Sequence, residues 1–236
     1  MKARLMCGAV LALANLIVSC AYSPLRPRSI AEVERPDRID DFSLLYAKNC
    51  SACHGRDGLN GPAIALANPT YQAIVDDNIV RRVIANGEDG KLMPAFSRSA
   101  GGMLTDRQVE VLVKGIRSHW YRVDTLKGLE VPSYRSELQA DVAHGGQVYI
   151  NNCASCHGYG RSKGKVGSIT DSSYLALVTD QSLRAIIIAG RPDIGQPDWR
   201  GVRPGHPLSG QDVTDLVAWI ASQRDVTSGQ PYPLQP

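Results

Sequence analysis

The sequence predicts an all-α fold of two tandem domains, and three observations lead there. The segment around Cys50 recurs around Cys153 at an offset of 103 residues. Apolar residues in both copies repeat at helical spacing, with little period-two alternation. Each copy also carries the same short motif, Cys50-Ser-Ala-Cys53-His54 or Cys153-Ala-Ser-Cys156-His157, at the same place. A unit duplicated at this length reads as two similar domains.

The repeat runs without a gap through most of each copy. Tyr46 and Asn49 fall on Tyr149 and Asn152, and Asn68-Pro-Thr-Tyr71 falls on Asp171-Ser-Ser-Tyr174. Asp77 to Arg81 meets Asp180 to Arg184, and Ile84 to Gly87 meets Ile187 to Gly190. After one inserted residue, Leu104 to Val109 meets Leu208 to Val213.

Each copy has one plan. A first helix, over 41–49 or 142–152, leads into the cysteine motif. A Gly-rich loop follows. A helix then carries Ile74, Ile79, Val80, Val83 and Ile84, or Leu177, Leu183, Ile186 and Ile187. After a Gly/Pro loop an amphipathic helix closes the copy. Its N-cap is Thr105 or Ser209, with acidic residues in the first turn. Its apolar stripe is Val109, Leu112, Val113 and Ile116, or Val213, Leu216, Val217 and Ile220. The expected boundaries are 41–122 for the first domain, 123–139 for a linker and 140–225 for the second domain. Residues 226–236 form a tail.

Ahead of the repeat, Lys2 and Arg4 precede an apolar run from Leu5 to Val18, broken only by Asn15. This pattern, over 1–19, is that of a secretion signal, too short to span a bilayer comfortably as a permanent helix. Its end, Ile17-Val18-Ser19-Cys20, resembles the lipobox of bacterial lipoproteins. The resemblance implies lipid on Cys20 and a place on the periplasmic side of a bacterial membrane. Ala21, where an Asp would mark inner-membrane retention, favours the outer membrane by the same resemblance. The alternative is an ordinary cleaved signal that contains a cysteine. Residues 20–40, rich in proline and arginine, read as an extended tether.

The cysteines are then accounted for. Of six, Cys7 leaves with the signal, Cys20 takes lipid, and four remain in the two motifs. None is left for a structural disulfide, which is unusual for an exported chain unless the thiols are consumed otherwise. Net charge is +3, of which Lys2 and Arg4 hold two. A nearly neutral mature chain gives no basis for nucleic-acid binding or for a strong steering field.

The spacing of Cys-x-x-Cys-His has a chemical use. Two cysteines on one turn reach both vinyl groups of one haem as thioethers, and the adjacent histidine turns its imidazole to the iron. A thioredoxin-like dithiol would need a βαβ setting, which the pattern lacks. Two Phe and three Trp are few for two small cores, and a haem in each would supply the missing apolar surface.

Residues 41–224 resemble the class I cytochrome c family in its two-domain diheme form. The resemblance rests on Cys-x-x-Cys-His-Gly in both copies, on Met93-Pro94, and on the closing helices Gln108-Val-Glu-Val-Leu-Val-Lys-Gly-Ile116 and Asp212-Val-Thr-Asp-Leu-Val-Ala-Trp-Ile220. It implies a small bundle of helices around one covalently bound haem in each domain. Two haem c groups would be attached through Cys50, Cys53, Cys153 and Cys156. His54 and His157 would be the proximal ligands and Met93 the sixth ligand of the first iron. The only other methionine after the signal, Met103, lies beside the last helix.

The second copy departs from the family pattern. Gln196-Pro197 stands opposite Met93-Pro94, and no methionine follows Met103. His206 is the leading candidate for the sixth ligand there. Gln196 as a weak ligand, or an iron that is five-coordinate or binds water, remains open. Tyr46/Tyr149, Tyr71/Tyr174 and Trp120/Trp219 read as core packing, and Arg81/Arg184 as propionate partners or a solvated face. His119 and His144 read as surface or linker residues.

The cytochrome resemblance implies a carrier of single electrons between redox proteins or membrane complexes, with no substrate-converting site, and the lipoprotein resemblance adds a lipid tether. Two alternatives stand beside it. One is a haem subunit of a larger respiratory or photosynthetic complex. The other is an enzyme or sensor that takes a small ligand at the second iron.

Overall fold

The computed structural model describes residues 34–160, 162–201, 203 and 205–225. The signal segment, Cys20, the first part of the tether and the tail 226–236 lie outside these residues. The chain divides into two units at Arg38–Ile39. The described part of the first holds a 3-10 turn, Pro36–Arg38, with Arg35 paired to Asp37 at 3.1 Å. Everything below concerns the second, which contains both copies of the repeat.

The all-α expectation holds. The first copy has helices α1 (Phe42–Asn49), α2 (Ser51–His54), α3 (Pro69–Ile74), α4 (Asp77–Asn86) and α5 (Asp106–Trp120). The second has α6 (Val142–Asn152), α7 (Ala154–His157), α8 (Ser172–Leu177), α9 (Asp180–Ala189) and α10 (Gly210–Ser222). The one described sheet is a two-residue ladder of β1 (Gly158–Tyr159) with β2 (Ser162–Lys163).

Local chemistry sets the ends. Asp41 and Asp141 cap α1 and α6 by accepting from the N–H of Leu44 and His144. Thr105 and Ser209 cap α5 and α10, each in a reciprocal capping box with the residue three further on. The sequence reads one middle helix per copy; the structure has two. Val75 and Val178 are extended, and Asp76 and Thr179 then start new helices by accepting from Ile79 and Ser182. The apolar spacing continues across the break, so periodicity alone does not reveal it.

Two hydrophobic cores result. The first is built on Leu45, Tyr46, Val80, Leu112 and Ile116, the second on Tyr149, Leu175, Ile188, Leu216 and Ile220. In each copy the first and last helices cross, α1 on α5 and α6 on α10. A Cβ on Gly115 would lie 2.0 Å from Cδ2 of Phe42. In the second copy the small and large partners are exchanged: Gly145 holds the register of Phe42, and Trp219 that of Gly115. A Cβ on Gly145 would lie 2.0 Å from the carbonyl oxygen of Asp215 and 2.9 Å from Cβ of Trp219. Close packing demands one small residue at the crossing, whichever helix supplies it.

A second shared device is an arginine on the last helix or just beyond it. Arg117 pairs with Asp77 and donates to the carbonyls of Gln72 and Val75. Arg224 pairs with Asp180 and donates to the carbonyls of Leu175 and Val178, the repeat counterparts. Arg224 comes three residues later than the register of Arg117, about one turn.

The segment 123–139 is a strap rather than a loose spacer. Leu126 and Val131 pack on the second core and Tyr134 on the first. Arg184 is buried and donates to the carbonyl of Ser133 at 2.9 Å and to Thr214 Oγ1 at 3.1 Å, while Gln181 donates to the carbonyl of Tyr134 at 2.7 Å. Burial pushes the Arg184 pKa down. Its repeat counterpart Arg81 lies on the surface and pairs with Glu110.

Asp215, buried on α10, accepts from the N–H of Asp141, from His144 Nδ1 at 2.7 Å and from Gln211. Burial works to raise its pKa, but these hydrogen bonds outweigh it and hold the carboxyl below its ordinary value. The bond to Asp215 raises the pKa of His144 in turn.

Two outcomes follow from this packing. Gly115→Ala forces Phe42 out of place and costs about 2 kcal/mol of stability, read as a lowered denaturant midpoint. His144 binds its proton more tightly folded than unfolded. Its stabilisation is therefore complete below the ordinary histidine value of about 6.5 and is lost as pH rises through the raised folded value. Denaturation midpoints from about pH 6 to about pH 9 should show the wild type losing an advantage over His144→Asn.

Candidate haem sites

Each site begins as a single turn. Tyr46 O and Tyr149 O accept the N–H of Cys50 and Cys153, and a four-residue helix, α2 or α7, then carries the chain to the histidine. Gly55 and Gly158 end these helices at φ +84° and +83°, a region that L side chains rarely adopt. The hydroxyls of Tyr46 and Tyr149 donate to the carbonyls of these two glycines at 2.9 and 2.7 Å. The tyrosines read from sequence as core residues are core residues that also brace the motif. Trp120 meets Tyr46 edge-on at 5.2 Å and Trp219 meets Tyr149 at 4.4 Å, from different registers of their helices.

The chain then doubles back beneath the histidine. Ala63 N donates to the carbonyl of Cys53, and Val166 N to that of Cys156. Gly61 and Gly164 make this approach possible, since a Cβ there would lie 2.3 and 2.0 Å from those two oxygens. His54 Nδ1 lies 2.8 Å from the carbonyl oxygen of Ile64, and His157 Nδ1 lies 2.8 Å from that of Gly167. A carbonyl only accepts, so each Nδ1 carries the proton and each Nε2 keeps its lone pair free. Such a bond fixes the ring and tautomer of a metal-ligating histidine.

The donor sets fit haem. Cys50, Cys53, Cys153 and Cys156 are all free, two beside each histidine. Burial pushes the Cys50 and Cys153 thiols up to about 12, so both stay uncharged. Among the described residues no group of three His, Cys, Asp or Glu side chains is arranged to hold a bare metal ion. One imidazole and two thiols per turn suit a macrocycle that brings its own nitrogen ligands. The two histidines differ in setting: His54 is 7% exposed, whereas His157 is only half-buried. Burial, and to a smaller degree the charge of Arg191, lowers the pKa of His54.

The opposite loops also repeat. Gly87 and Gly190 end α4 and α9 at φ +67°. A Cβ on Gly87 would lie 2.6 Å from the carbonyl of Met93, and one on Gly190 would lie 2.6 Å from Asp198 N. Glu88 N donates to Met93 O at 2.9 Å, and Arg191 N donates to Gln196 O at 2.9 Å. Gln196 therefore stands where Met93 stands, in backbone as well as in sequence. Its Nε2 lies 3.4 Å from the carbonyl oxygen of Ile186. His206 is exposed at the end of a turn closed by its N–H on the carbonyl of Arg203. It shares a surface depression with His144, Gln147, Asn151 and Asp212. Met103 is 81% exposed, and His119 stacks on Phe42 at 4.5 Å.

Sequence reading missed a contact between the copies. Arg191 and Asp193, in the second distal loop, are buried against residues 60–63 of the first site. The repeat hid it, because the register of Arg191 carries Glu88 in the first copy.

The family model described as cytochrome c oxidase, cbb3-type, subunit III matches residues 37–114 and 140–220. The cbb3-type cytochrome c oxidase subunit FixPc of Rhizobium leguminosarum bv. viciae is 23% identical over 212 residues. That stretch covers 83% of this chain and 66% of the relative, so the chain spans just under two thirds of the relative's length. A chain of the Kuenenia stuttgartiensis reducing HAO-like protein complex aligns at a TM-score of 0.48 and 16% identity, over 82% of this chain and 100% of that one.

If Met93 is the sixth ligand of one of two haems, Met93→Leu should lower the midpoint potential of that haem and leave the other unmoved, because thioether ligation favours the ferrous state. Spectroelectrochemistry of the holoprotein reads both potentials at once.

Proposed function

The chain belongs to the cytochrome c family, through the model of subunit III of the cbb3-type oxidase, and from that premise we propose that it carries two haem groups and passes single electrons as a haem-bearing subunit of a respiratory complex. The carrying observation is the duplicated proximal frame, His54 on Ile64 O and His157 on Gly167 O, each beside two free thiols. Haem supplies one-electron chemistry when bound. The chain's own residues hold each imidazole in one tautomer, keep Cys50 and Cys153 uncharged and back the two sites with two hydrophobic cores. Two frames in one unit make a short relay, for which no catalytic side chain is needed. The name of the Rhizobium relative supports the subunit reading over a free carrier. A lipid on Cys20 would tether the chain on the periplasmic side of the membrane.

A second reading rests on Gln196 in the place of Met93. The second haem then takes His206 or Gln196 as a weak sixth ligand, or leaves that position open to a small molecule. Carbon monoxide added to the reduced protein separates these: a shifted spectrum at one haem marks an open or weakly held site, and no response marks two six-coordinate haems.

Detergent extraction followed by a native gel stained for haem tests the subunit reading. The stain should migrate with other redox subunits. A stained band migrating alone, at the size of one chain, would contradict it.

A further inference from the structure

The two copies meet through α3 on α9 and through both distal loops, and the two loops do different things there. In the first, the Glu88 carboxylate accepts from Thr179 Oγ1 and Ser182 Oγ at the start of α9. In the second, the same register is Arg191, of opposite charge. Arg191 is 5% exposed. Its Nη1 donates to the carbonyl of Ala63 and its Nη2 to that of Gly61, both at 2.8 Å. Its Nε and Nη2 also hold the Asp193 carboxylate, at 3.0 and 2.8 Å. Asp193 Oδ2 in turn accepts from Asn60 N at 2.8 Å. Asn68 adds a neutral link by donating to the carbonyls of Ala189 and Gly190.

The loop gripped in this way is the proximal loop of the first site. Ala63 offers its carbonyl to Arg191 and its N–H to Cys53, and the next residue, Ile64, accepts from His54. On its other side, Arg191 exchanges both backbone hydrogen bonds with Gln196. The guanidinium therefore lies one peptide from the carbonyl that orients His54, and the backbone of the same residue is paired with Gln196, which replaces methionine at the second site.

We propose that the Arg191–Asp193 pair is a shared positioning and potential-setting element, which holds the proximal loop of the first haem site from the distal loop of the second and places a balanced pair of buried charges between the two. The inference rests on the diheme reading. A buried charge acts over a low-dielectric path and is poorly screened. An uncompensated anion there favours ferric iron and an uncompensated cation favours ferrous iron. A planar guanidinium also spans two carbonyls and a carboxylate, which an ammonium does not.

The test is a spectroelectrochemical titration of the full holoprotein and its variants, with haem content measured on each. Arg191→Gln should lower both midpoint potentials and Asp193→Asn should raise both, while the double variant returns close to the wild type. Arg191→Lys keeps the charge, so it should hold the potentials while lowering the denaturant midpoint. A purely structural role would not give shifts of opposite sign. Potentials that stay fixed, or that move the same way in Arg191→Gln and Asp193→Asn, would overturn the inference and leave the diheme reading intact. If Arg191→Gln does not accumulate, Asp193→Asn and Arg191→Lys decide: no rise in the first, or a fall in the second, overturns it. A wild type that stains for one haem or none defeats the diheme reading instead.

Discussion

The imidazole of His54 gives its Nδ1 proton to the carbonyl of Ile64, and that of His157 does the same to Gly167, in both cases ten residues along the chain. The rest of each copy exists to make that hydrogen bond possible. The cysteine turn must end abruptly, so Gly55 and Gly158 take positive φ. The returning chain must press against the turn, so Gly61 and Gly164 carry no side chain. The turn itself must not swing, so Tyr46 and Tyr149 brace it from the core. The helix crossing behind the tyrosines then keeps the first and last helices at a fixed separation. A histidine with one tautomer and one orientation, as an iron ligand requires, is the product of this chain of constraints.

Where the constraint is shape alone, the two copies meet it with different residues. Phe42 against Gly115 becomes Gly145 with Trp219, and the arginine that closes the last helix moves from Arg117 to Arg224, about one turn on. Volume and hydrogen-bond acceptors are kept, while sequence positions are not. Where the constraint is chemistry, the copies diverge in kind. The first distal loop holds Met93, whose carbonyl accepts from Glu88 N, and the second holds Gln196, which makes the same bond with Arg191 N and returns a second. The loop that orients the first histidine is held by the Arg191–Asp193 pair, and His54 is buried whereas His157 is more open.

Much of this was legible in the sequence because it is local or repeated. The N-caps at Thr105 and Ser209, the first helices and the cysteine turns lie where propensity and spacing put them. The breaks at Val75 and Val178 were not legible, since apolar residues continue at helical spacing through them and only the caps Asp76 and Thr179 mark the new start. The strap over 123–139 lacks periodicity because its contacts are tertiary, made one side chain at a time through Leu126, Val131 and Tyr134. Arg184 gave no sign that it would be buried, its counterpart Arg81 being a surface residue. At the sites, Cys50, Cys53 and His54 with their counterparts were readable from spacing. The carbonyl partners and the clamp by Arg191 were not, because backbone acceptors leave no trace in residue identity.

The central claim is that one duplicated scaffold holds two haems with unlike iron ligands. A redox titration of the holoprotein followed by magnetic circular dichroism tests it most directly, since it reports the ligands and the potential of each iron together. The account predicts two separate one-electron transitions, with the methionine signature on the higher-potential haem alone. Two haems with identical signatures, titrating together at one potential, would contradict it.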